Sequence, residues 1–171
     1  MKKRIVLMLA LIATFLLPGG TRPVLADGIR GVTGGIHFTA SAFGMEGWMR
    51  FDVHAAESGN LASGWLRWQE YNESDGWRHL IAHPTCVVFS ESGGAPAAAF
   101  VVQIDSKSGW GEGEPGQYIL FWVRDGGTPG RNGDQFTTLT WPPQGTAPDC
   151  EYSEPGFLFA TIDAGNLMIH P

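Results

Sequence analysis

The residues best placed by type and spacing to hold an ion lie in FWVRDGGTPGRNGDQF, positions 121 to 136. An apolar run stops at Arg124 and Asp125, crosses a stretch rich in glycine, and resumes at Phe136. Calcium takes about six to eight oxygen ligands, usually carboxylates joined by carbonyls of a glycine-rich turn. Asp125, Asn132 and Asp134 could supply side-chain oxygens, with backbone oxygens from Thr128 to Arg131. Against calcium, the EF-hand spacing is absent, and Arg124 and Arg131 offset the negative charge that attracts the ion. The mechanical reading is simpler. Gly126 and Gly127 tolerate positive φ, Pro129-Gly130 suits a tight turn, and an aspartate can accept neighbouring amides. The expectation is a turn fastened by its aspartates, with calcium as the rival.

Other constellations offer less. Asp105, Glu112 and Glu114 cluster with Ser106 and Ser108 around Trp110, a pattern that also describes a solvated hairpin tip. His37, His54, His79, His83 and His170 are scattered. His79 and His83 would share one face of a strand but stand about 13 Å apart, too far to share a zinc. No Gly-x-Ser-x-Gly elbow occurs, and carboxylates are too numerous for sequence to select a hydrolytic pair. No catalytic residue is assigned. The seven tryptophans, Trp48, Trp65, Trp68, Trp77, Trp110, Trp122 and Trp141, could include a stacking platform for a sugar, because an indole offers a flat apolar face and an N–H donor. Trp65 and Trp68 are three apart and cannot share a face of a regular strand. Trp110, in a polar glycine-rich loop, is the expected exposed ligand-binding indole.

The elements that position these residues follow from the rest of the chain. MKKRIVLMLALIATFLLPGGTRPVLAD has three cations, an apolar run from Ile5 to Leu17 and small residues before Asp27, the pattern of a secretory leader cleaved after Ala26. The run is shorter than the roughly 20 residues of a membrane span. The expectation is a leader at 1–26 and a single domain at 27–171, extracellular and free of the membrane after cleavage. Loss of Lys2, Lys3, Arg4 and Arg22 leaves 7 cations against 17 acids, a net charge of −10. Such a surface disfavours nucleic acid and anionic lipid. Cys86 and Cys150, in an oxidising compartment, are expected to pair.

Glycine and proline, 24 and 11 residues, interrupt the chain too often for long helices. In EGWMRFDVHA, Met49, Phe51, Val53 and Ala55 alternate with Arg50, Asp52 and His54, so one face enters a core and Trp48 is the large apolar residue on the wetter side. Similar runs cover 34–40, 62–71, 77–82, 85–90, 97–105, 117–124, 134–141, 156–162 and 166–170. About nine or ten short strands predict an all-β fold, an antiparallel sandwich or partly closed barrel. YILFWV is apolar on both faces, which suits a strand covered on both sides or a barrel stave under a loop. His83-Pro84 predicts a sharp junction between two strands. Residues 106–116 and 142–156 read as irregular loops.

GVTGGIHF, HPTCVVF, FWVRDGGTPGRNGDQF and AGNLMIHP together resemble a recurrent secreted bacterial β domain of unknown function, the post-COAP-1 type. The resemblance runs over roughly residues 31 to 170 and implies secretion and an all-β fold, with no catalytic residues to transfer. The functional expectation is a non-enzymatic structural or interaction module, probed by an extracellular partner or glycan and acting as a monomer. The alternatives are a carbohydrate or small-ligand binder that uses exposed tryptophans, and a secreted hydrolase.

Overall fold

The computed structural model describes residues 30–40, 45–56, 60–111, 113–127, 133–141, 147–148, 150 and 160–170. The expected leader, Asn132, Glu112 and most of the 142–156 segment lie outside them. The described residues form eight strands in one sheet: β1 (Gly31–Ala40), β2 (Met45–Ala55), β3 (Ala62–Asn72), β4 (Gly76–Ser92), β5 (Ala95–Ser108), β6 (Tyr118–Arg124), β7 (Gln135–Trp141) and β8 (Ala160–His170). Each is antiparallel to the next, and β8 returns to pair with β1, curling the sheet into an up-and-down barrel. The seams are unequal. β2 and β3 pair along their whole length, whereas β7 and β8 pair only at Gln135↔Thr161 and Phe136↔Ala160.

The strand count is lower than expected because two predicted interruptions are bulges inside longer strands. At Pro84 the chain continues through β4, and the register to β5 shifts between Pro84 and Cys86. The ladder to β3 has already ended at Leu66↔Ala82, so the missing proline amide proton interrupts no bond on that side. In β8, residues on either side of Gly165 form one strand, with a register shift against β1 at His37/Phe38. Gly165 has φ 106°, and a Cβ there would lie 2.0 Å from the Gly35 carbonyl oxygen, so this bend accepts only glycine.

Alternation sends one side chain in two to the interior. Met49, Phe51 and Val53 are buried there with Leu66, Leu80, Phe100 and Phe121. The Phe51, Phe100 and Phe121 rings follow one another at centroid distances of 5.5 and 5.0 Å, filling the middle of the barrel. Two glycines make room for aromatics on the neighbouring strand: a Cβ at Gly34 would meet the Phe51 ring at 2.4 Å, and one at Gly47 the Phe38 ring at 2.2 Å. Filled interiors are the normal state of small barrels.

A second, smaller apolar cluster lies on the outside of β5 and β6, where Ala99, Val101, Leu120 and Trp122 pack with Cys150. The Cys86–Cys150 disulfide, with a Cα–Cα distance of 5.9 Å, fastens Cys150 to β4. The doubly apolar character of β6 therefore has a physical cause: its inner residues face the barrel core, and Leu120 and Trp122 pack on the other side with Ala99, Val101 and Cys150.

Candidate functional site

The two aspartates of the 125–134 connection accept backbone amides. Asp125 Oδ1 accepts the Gly127 N–H at 2.7 Å and Oδ2 the Ile169 N–H at 3.1 Å. Asp134 Oδ1 accepts the Gly126 N–H at 2.9 Å and Oδ2 the Leu167 N–H at 3.1 Å. Leu167 and Ile169 belong to β8, beyond the two residue pairs that join it to β7. The carboxylates thus take up β8 amides where the ladder has run out. Among the described residues, no group of three or more His, Cys, Asp or Glu side chains is placed to hold a metal.

Trp110 differs from its expected state. It is half-buried, its Nε1 donates to the Gly76 carbonyl at 2.7 Å, and the Arg78 guanidinium lies 5.1 Å from its ring centroid. Three residues on, buried Gly113 lies against Ile104 and Leu80. Trp110 is thereby held against the start of β4 instead of standing as a free indole. Beneath it Arg78 bonds Glu70 and stands 5.3 Å from the Trp68 ring. Burial raises the Glu70 pKa above its ordinary value, while the charge and hydrogen bond of Arg78 and the Trp68 indole pull it down.

The exposed indoles lie elsewhere. Trp48, Trp65 and Trp77 are 36%, 43% and 48% exposed, and all three project from the outer face of β2–β4. Trp68 points inward, three residues from Trp65, as strand alternation requires. Trp122 is buried in the cluster that contains Cys150, and the side chain of Trp141 lies outside the description.

Register turns the outer face into cross-strand rows. One row runs Ala164, His37, Trp48, Gln69, His79, from β8 to β4. The next holds Asn166, Gly35, Arg50, Arg67 and Ile81. A third holds Met168, Thr33, Asp52 and Trp65. The rings touch along this surface: His37 to Trp48 at 4.9 Å, Trp48 to Trp77 at 5.6 Å and Trp77 to Tyr71 at 5.3 Å between centroids. His79 stacks on Trp77 at 6.0 Å and 21°. His83, on the same strand face, is held instead by Asp105 at 2.6 Å, so the two histidines have separate partners.

Three open hollows mark the same surface, of about 540, 300 and 200 Å³, and Arg50 borders all three. Gly35 lines the 540 and 200 Å³ hollows, and a Cβ there would have no heavy-atom neighbour within 4 Å. Carboxylates share the surface, with Asp52 lining the 540 Å³ hollow beside Arg50 and Trp65. Glu46 holds His37 Nε2 at 2.7 Å, and Asp52 holds His54 Nε2 at 2.9 Å. The arrangement offers flat apolar faces, cationic donors and acceptors within one exposed area.

Alternation carried a signal for this face that loop composition did not. Trp48 shares the polar phase of β2 with Arg50, and Trp65, Arg67, Gln69 and Tyr71 share one phase of β3. An indole in the polar phase of a strand is an outward indole. The chain matches no protein-family model, no curated protein and no solved structure.

Proposed function

We propose that this protein is an extracellular, non-enzymatic binding module whose ligand lies across the outer face of β1–β4. The observation that carries the reading is the continuous ring contact from His37 through Trp48 and Trp77 to Tyr71 on an exposed surface. Adjacent exposed aromatics cost the folded protein hydration and serve recognition when a flat ligand covers them. Sugar rings present such flat C–H faces, with hydroxyls at their edges for Gln69, Asn166 and the carboxylates of this surface. The resemblance to secreted post-COAP-1-type domains and the secretory leader support an extracellular setting. A filled barrel interior supports a reading in which recognition uses the outside.

The test is a titration of soluble glycans followed by tryptophan fluorescence. Binding quenches or shifts the emission, and Trp48→Ala or Trp77→Ala each weakens it about tenfold. Absence of any response across neutral and acidic glycans at millimolar concentration removes the proposal.

A further inference from the structure

Arg50 and Arg67 are directly opposed on β2 and β3, and both side chains are exposed on the outer face. Like charges directly opposite each other destabilise a sheet. The chain carries 17 acids, yet among the described residues no carboxylate forms an ion pair with either arginine. The contrast with the other paired cations is direct: Arg78 is matched by Glu70 and Lys107 by Glu114. Arg67 instead lies 5.9 Å from the Trp65 ring centroid.

The two arginines are also central. Trp48 faces Gln69 across the β2–β3 seam, and Trp65 faces Asp52, with the arginine pair between those two rungs. Four residue steps along the strands separate the two indole positions, about 13 Å. That is longer than one sugar ring, so a ligand that stacks on both is a chain, and its middle lies over two guanidinium groups. Guanidinium forks match planar anionic groups with paired hydrogen bonds.

We infer that the ligand of this face is an acidic oligosaccharide, whose outer rings stack on Trp48 and Trp65 while an internal anionic sugar neutralises Arg50 and Arg67. The inference rests on the glycan-binding reading above and adds its chemical class. Two competing occupants fit less well. A peptide adding as a strand needs a free sheet edge, and β1–β4 are paired on both sides in the barrel. A single-stranded DNA also combines stacking with cations, but its phosphodiester backbone carries no hydroxyl donor for Glu46, Asp163 and Asp52, which share this surface. Sugar hydroxyls, in contrast, can donate to those carboxylates.

Four probes separate these outcomes: an oligogalacturonate, a heparin-derived sulfated oligosaccharide, a neutral cello-oligosaccharide, and a single-stranded DNA oligonucleotide. The expected result is tightest binding by an acidic sugar, weakened by salt, with the first two probes showing whether the anion is carboxylate or sulfate. Arg50→Gln combined with Arg67→Gln should remove about tenfold or more of the preference for acidic over neutral sugar. The same double variant should unfold no earlier than the parent, because it relieves the opposed charges. Gly35→Leu should fill the hollows it lines and abolish binding of both sugar types with the fold retained, as judged by thermal melting. Equal affinity for neutral and acidic sugars overturns the inference and leaves the glycan-binding reading standing. Tighter binding of the oligonucleotide overturns it in favour of nucleic acid, and dimerisation in sedimentation that is lost in Trp77→Ala overturns it in favour of contact between copies. Silence from every sugar overturns both readings together.

Discussion

Asp134 is 2% exposed and accepts amides from two different segments, which gives it a mechanical role that can be measured. Of its two donors, the Gly126 amide belongs to an exposed residue, whereas the bond to Leu167 is buried. Replacement by alanine lets water reach the first and strands the second, at a cost of roughly 1–3 kcal/mol for an unsatisfied buried donor. Asp134→Ala should therefore lower the unfolding free energy by about 2–4 kcal/mol, measured in urea, with about 1 kcal/mol for the less buried Asp125→Ala. Equal small effects at both positions would show that β8 is held by something else. Calcium titration makes the check independent: a urea midpoint that calcium raises in the parent but not in Asp134→Ala would assign an ion to these oxygens instead of amides. The residue types were readable in FWVRDGGTPGRNGDQF, and so was their task of accepting amides. That two of the amides belong to β8, more than thirty positions away, depends on a seam between strands and is not encoded in local spacing.

The disulfide joins two elements that otherwise interact through a thin apolar layer. Cys86 and Cys150 are 64 positions apart, and the cross-link holds Cys150 against the cluster that contains Trp122 and Leu120. Replacing both cysteines by serine should cost up to about 4 kcal/mol through restored chain entropy of the unfolded state. It should also admit quencher to Trp122, which is buried in the cross-linked protein. A stability loss below about 1 kcal/mol together with unchanged acrylamide quenching would show that this packing holds without the cross-link. The element pattern itself was largely readable, because period-two alternation depends only on which face meets the core. What local pattern mistook was continuity. Proline at 84 and glycine at 165 look like breaks, yet neighbouring ladders carry the strands through both as bulges. The outward phase of β2 and β3 held the exposed indoles in plain view, but Trp110 looked freer in its loop because sequence does not display the Gly76 carbonyl that captures its N–H.

The barrel as a whole buries one ion pair, Glu70 with Arg78, and carries its exposed rings on one side. Glu70 is 2% exposed and bonded to Arg78, and burial raises its pKa above the ordinary value of 4.5. A carboxyl whose pKa is raised in the folded state binds its proton more tightly there than in the unfolded chain. Its favourable contribution is complete below pH 4.5 and is lost as pH rises through the folded pKa. Arg78 opposes the shift but stays charged throughout, so it contributes no slope of its own over this range. Glu70→Gln keeps a side-chain acceptor for Arg78 and removes the titration. The difference in melting temperature between parent and Glu70→Gln should therefore be most favourable to the parent below pH 4.5 and decline as pH rises above it. Subtraction cancels the other carboxylates, including those on the outer face, because both proteins share them. Parallel melting curves across that range would mean that Arg78 fully compensates burial. A difference that grows with pH would mean the ion pair lowers the Glu70 pKa, reversing the balance between burial and charge at this pair. Ligand affinity on β1–β4 should be the same in both proteins at neutral pH, since the ion pair and the outer face use opposite sides of β3: Glu70 inward, and Arg67 and Gln69 outward.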